Sequence, residues 1–170
     1  MAKYDELTDY YLKEWNKAND RVNKCNSFIS SLKERIETEF NVSKNTIKYF
    51  NQFDEEVDTA NDAIHYDNDL QMLKYVFKLP INQGSFPSVE IKFVLFVHYE
   101  EDPIGDTNLE KECFSIRFND SEKTYGFYSK EKPYKQLIND LFEDLKLAIK
   151  KHYEYGKPDK KDRIGFQLGE

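Results

Sequence analysis

The amino-acid sequence predicts an α+β fold: a long N-terminal amphipathic helix, a four-stranded antiparallel meander, and a C-terminal helix packed on the sheet. Three observations carry this expectation. Apolar residues between positions 5 and 40 recur at alternating intervals of four and three, those between 70 and 128 alternate with polar residues, and those between 132 and 155 return to a helical period.

The first helix, expected over 5–40, has the stripe Tyr11, Trp15, Ala18, Val22, Cys25, Ile29, Leu32 and Ile36. No Pro or Gly interrupts it, Asp5 and Glu6 suit its positive end, and Asn41 with Ser43 offers a stop. A rod of that length spans about 54 Å, whereas a compact chain of this size has a diameter near 40 Å. Either the helix breaks among Asn16, Asn19, Asn23 and Asn26, or one end projects and calls for a partner. The same stripe fits a coiled-coil seam, with Trp15, Val22, Ile29 and Ile36 at one core position and Tyr11, Ala18, Cys25 and Leu32 at the other. The flanking residues Asn19, Asn26 and Lys33 on one side and Glu14, Arg21, Phe28 and Arg35 on the other lack the charge pattern that fixes a parallel pair.

Residues 44–69 read as a short helix around Ile47, Phe50 and Phe53, then an acidic loop in which Asp54, Glu55, Glu56 and Asp58 cluster. The sheet begins near Leu70. Leu73, Tyr75, Phe77, Leu79 and Ile81 alternate with Met72, Lys74, Val76 and Lys78, and the next strand, Val89 to Tyr99, is apolar at every odd position. A third strand carries Phe114, Ile116 and Phe118; Asn119 to Glu122 turns the chain into a fourth through Tyr125 and Phe127. Pro133 opens the last helix, 132–155, whose expected inner face is Tyr134, Leu137, Ile138, Leu141, Phe142, Leu145, Ala148, Ile149 and Tyr153. Gly156 and Pro158 end it, and 156–170 is expected as a tail in which Arg163 to Leu168 forms an edge strand or stays loose. The whole of 1–170 is expected as one domain.

Composition narrows the function classes. The net charge of −7 disfavours nucleic acid, and acids interleave with the basic stretches at 130–135 and 146–161. No apolar run approaches a membrane span, and residues 1–20 lack a signal-peptide centre, so a cytoplasmic location is expected. Cys25 and Cys113 fit no metal or redox spacing and are expected as free thiols. Abundant Lys, Asn, Ile, Tyr and Phe with few Ala and Gly is a mixture that AT-rich codons produce, as in a low-GC bacterium or its phage.

Chemistry-bearing motifs are sparse. Three histidines (His65, His98, His152) are expected as surface or half-exposed groups; there is no GxSxG, HExxH or glycine-rich phosphate loop, and no cofactor is expected. One pattern supports an enzymatic alternative. Glu90 and Lys92 share a strand face, and Asp67 and Asp69 precede the neighbouring strand; two carboxylates and a lysine are what a Mg²⁺-dependent nuclease uses to hold metal and activate water. Glu34, Glu37 or Glu39 would supply a further acid. An aromatic pocket from Phe93, Phe96, Phe114 and Tyr125 is a third expectation, set against an ordinary core. The leading expectation is a protein-binding adaptor, inhibitor or immunity-type factor, paired with another protein or with itself as a homodimer. Its partner-binding residues would be Trp15, Asn19, Val22, Asn26 and Ile29 on the helix, with Asp54, Glu55 and Glu56 in the acidic loop and further acids at 100–106.

Overall fold

The computed structural model describes residues 2–101, 109–129, 132–155 and 166–168. Helix α1 runs unbroken over Lys3–Glu39, 37 residues, so the asparagines do not interrupt it. Asn has only a modest helix penalty, and no Gly or Pro adds to it. The helix ends where Asn41 takes φ 55°. The Asn41 N–H donates to the Thr38 carbonyl (3.1 Å) and the Val42 N–H to that of Glu37 (3.0 Å), a left-handed cap that Asn tolerates almost as well as Gly.

One antiparallel sheet follows. The strands are β1 (Lys48–Phe50), β2 (Glu56–Val57), β3 (His65–Asp67), β4 (Met72–Ile81), β5 (Val89–Glu101), β6 (Leu109–Phe118), β7 (Tyr125–Ser129) and β8 (Phe166–Leu168). The order is β2-β1-β4-β5-β6-β7, with β3 also on β4 and β8 also on β5. The expected meander is therefore present as β4 to β7, and the expectation of four strands is corrected by the short ones beside it. β1 takes the 76–78 portion of β4's outer edge and β3 the 72–74 portion, while β8 pairs with the 89–91 end of β5. The segment expected as a helix around Ile47 and Phe50 is the β1–β2 hairpin, and the only helical turn there, α2, is Ala60–Ala63. Gly156 and Pro158, most of the acidic stretch 100–106, and positions 130–131 and 156–161 of the two basic stretches lie outside the described residues.

The core lies between one face of this sheet and two helices. Tyr75, Phe77, Leu79, Ile91, Phe93, Leu95, Val97, Ile116 and Phe127 meet Cys25, Ile29, Leu32 and Ile36 of α1 and Leu137, Ile138, Leu141 and Leu145 of α3 (Tyr134–Tyr155). Each fully buried Leu, Ile or Phe contributes about 1.5–3 kcal/mol. The inner face of α3 is narrower than expected: Phe142 and Tyr153 are almost half exposed, and Phe142 meets Phe40 edge-on with Lys146 over its ring. Contrary to expectation His152 is buried, because it continues the Leu141–Leu145 stripe. Phe96 lies on the sheet face opposite Phe93, so the four aromatics line no common pocket; Phe93, Phe114 and Tyr125 are core residues.

A buried ion pair fixes the exit from α1. Lys33 Nζ donates to Glu37 Oε1 at 2.6 Å, and the Glu37 carboxylate also accepts from the backbone N–H groups of Asn45 (2.9 Å) and Ile47 (3.3 Å). With both oxygens occupied, the desolvation of the pair is compensated and the turn into β1 is held.

Candidate functional site

The apolar stripe of α1 serves two environments. From Cys25 to Ile36 it is buried against the sheet, whereas residues 3–21 are exposed without exception. This exposed portion is about 28 Å long. Its apolar side chains are large: Tyr4 is 77% exposed, Leu7 68%, Tyr11 64% and Trp15 53%, with Tyr10 and Leu12 beside them. Tyr4, Leu7, Tyr11, Trp15, Ala18 and Val22 step along one face at intervals of three and four, and a contiguous apolar strip of this kind on a helix marks an interaction surface. The sequence expectation started this face at Tyr11. Tyr4 and Leu7 extend it by two turns, and the signal was the same spacing carried backwards.

The boundary between the halves is held by polar contacts. Tyr75 donates its phenol proton to Asn26 Oδ1 (2.8 Å), Asn26 Nδ2 donates to Asn61 Oδ1 (3.1 Å), and Lys24 Nζ donates to the Tyr99 hydroxyl (3.0 Å). The Tyr99 hydroxyl and then Asp20 raise the pKa of Lys24. Burial pushes the Cys25 thiol up to about 12, so it stays protonated and acts as a small apolar side chain. Clefts open on different faces of α1 at this boundary. One of about 410 Å³ is lined by Asn23, Lys24, Phe28, Phe114, Lys132 and Tyr134, and one of about 250 Å³ by Ala18, Arg21, Val22, Tyr66, Leu73 and Tyr99, among others.

The expected partner-binding residues thus divide. Trp15 and Asn19 are exposed and Val22 is partly so. Asn26 is engaged by Tyr75 and Asn61, and Ile29 is fully buried; both belong to the docked half, because the helix passes beneath the sheet before reaching them. Asp54, Glu55 and Glu56 sit on a different element, at the β1–β2 hairpin. Asp54 accepts an ion pair from the buried Lys78 (2.9 Å), and Glu55 accepts from Asn51 Nδ2 (3.0 Å), so two of the three acids already serve the fold.

The residues of the nuclease alternative are not brought together. Glu90 pairs with Pro80 at one end of the β4–β5 ladder, whereas Asp69 lies in the turn that precedes Met72, beyond the other end where Leu73 pairs with Val97. Seven residues of strand put those ends some 23 Å apart. Lys92 stands opposite Lys78 on β4. Among the described residues, no group of three or more His, Cys, Asp or Glu is placed to hold a metal ion. No described helix is long and apolar enough to cross a membrane.

Comparisons with protein-family models, with curated proteins and with solved structures return no match.

Proposed function

We propose that this chain is a protein-binding factor whose recognition element is the projecting half of α1, residues 3–22. One observation carries the reading: an unbroken helix leaves the body with Tyr4, Leu7, Tyr11 and Trp15 each more than half exposed along one face. Burying aromatic surface of this size on a partner is strongly favourable, and Trp and Tyr are the residue types that dominate such interfaces. The helix reaches the partner preformed, since its docked half supplies the nucleus that a free peptide of this length would have to build. Little ordering entropy is left for binding to offset.

The test uses the single tryptophan as a reporter. Binding that covers Trp15 shifts its emission to the blue, and Tyr11→Glu with Trp15→Glu abolishes recovery of any protein that the wild-type chain captures from its own cells. Capture that is unchanged in the double variant would overturn the reading.

A further inference from the structure

Resting on that reading, we infer that the occupant of the exposed α1 face is a second copy of this chain, packed antiparallel through residues 4–22. Charge, side-chain size and the position of the body all select this arrangement.

Charge along the projecting helix is unevenly divided. Lys3 with Asp5, Glu6 and Asp9 leaves a net −2 on the outer turns, whereas Lys13, Lys17, Arg21 and Lys24 with Glu14 and Asp20 leave +2 on the inner ones. An antiparallel partner sets each acidic tip beside a basic base and opposes the two helix dipoles; a parallel partner stacks acid on acid.

One antiparallel register of the stripe pairs every one of its core positions. Trp15 and Val22 occupy one core position of the repeat, which reaches back to Thr8, and Tyr4, Tyr11 and Ala18 occupy the other. Setting Trp15 opposite Tyr11 of the second copy brings Val22 opposite Tyr4 and Thr8 opposite Ala18, and the two-fold axis repeats each layer. A bulky ring meets a smaller aliphatic in the Tyr4–Val22 layers, and the axis passes at Lys13, with Leu12 of each copy flanking it. Val22 lines the cleft of about 250 Å³ beside Tyr66 and Leu73, so the ring of Tyr4 from the second copy arrives at its mouth.

The body excludes the parallel alternative. From Cys25 onward the same face of α1 is covered by its own sheet, so a parallel second copy would set its sheet at the level, and on the side, already filled by the first. The antiparallel pair puts the bodies at opposite ends. Tyr4, Tyr11, Trp15, Leu7, Leu12 and Val22 supply about 1,000 Å² of buried surface in the pair, near the lower bound for a specific interface. The dimer is therefore concentration-dependent.

Sedimentation equilibrium of the full chain between low and several hundred micromolar, together with cysteine cross-linking, tests this. The expected result is a mass rising from 20.3 kDa towards twice that value with concentration, held at the monomer value by Trp15→Glu. Mixing Tyr4→Cys and Val22→Cys chains under mild oxidation should give a disulfide between the two variants. A Tyr4→Cys chain that cross-links to itself in preference overturns the antiparallel register. A chain that stays monomeric at every concentration overturns the second copy as occupant; if Trp15→Glu then still removes a captured cellular protein, the protein-binding reading stands, and if it does not, both fall.

Discussion

The Tyr75 hydroxyl donates to Asn26 Oδ1 at 2.8 Å, across 49 residues of chain, at the point where α1 passes from exposed to buried. Burial raises the pKa of Tyr75 well above that of an ordinary phenol, so this proton stays in place across the physiological range. Removing the two partners should have unequal effects. Tyr75→Phe removes one hydrogen bond, at about 1 kcal/mol, whereas Asn26→Ala leaves the phenol of a fully buried ring unpaired, at about 1–3 kcal/mol. Urea denaturation measures both, and equal losses would show that Asn61 or water replaces the lost acceptor.

Along one stripe of one helix, chemically similar residues should differ sharply in their effect on stability. Ile29→Ala empties a fully buried position and should cost about 2–5 kcal/mol. Leu7→Ala, on an exposed turn, should stay within about 0.5 kcal/mol when measured at low micromolar concentration, where the projecting half has no cover. A large loss at Leu7 under those conditions would mean that this half of the helix folds back on the body.

The buried pair Lys33–Glu37 predicts a large asymmetry with its exposed neighbour. Glu37→Ala leaves an ammonium buried and two backbone N–H groups without their acceptor, and should cost about 3–5 kcal/mol. Glu34→Ala removes only an exposed pair with Lys44 at 3.6 Å and should cost less than about 1 kcal/mol. Replacing Lys33 and Glu37 together by Met and Leu should recover the part of the Glu37→Ala loss that comes from the unpaired ammonium, and not the part from the Asn45 and Ile47 N–H groups, which thermal melts of the three variants would compare.

His65 gives the fold a pH dependence of known sign. Burial first, and then the nearby Lys74, lower its pKa. Below the unfolded value of about 6.5 the unfolded chain takes up a proton that the folded chain resists, so stability is full above that pH and declines as pH falls towards the folded pKa. His65→Gln should flatten the difference in urea midpoint between pH 7.5 and 5.5 relative to wild type. An unchanged slope would assign the acid sensitivity to other groups, but not to Asp140: hydrogen bonds from Tyr125 and Lys123 hold its carboxyl below the usual value, so its contribution is lost only at a pH below that window.

The meander was legible because β4, β5 and β6 are ten to thirteen residues long and carry runs in which every second residue is apolar. β1, β2, β3 and β8 have two or three residues each, too few for a period of two to show, and the spacing of Ile47, Phe50 and Phe53 imitates a helix. Helical periodicity located the face of α1 correctly. It could not mark where the helix leaves the body, because Trp15 and Val22 outside resemble Ile29 and Ile36 inside. That boundary is set by Asn26, Tyr75 and Lys24, whose partners lie far away in the sequence. Asp69 and Glu90 looked close because a short count of residues separates them, and the hairpin reverses direction in a way that moves them apart.

The continuity of α1 over Lys3–Glu39 also makes it a lever. With its inner end clamped between the Asn41 cap and the Asn26 contact, tilting the helix by about 5° carries Tyr4 through about 3 Å, since some 33 Å of rigid rod lies between Tyr4 and Asn26. A small displacement in the packing around Cys25 and Ile29 therefore becomes a movement the width of a side chain at the tip, and a pull on the tip is delivered, multiplied, to the middle of the sheet.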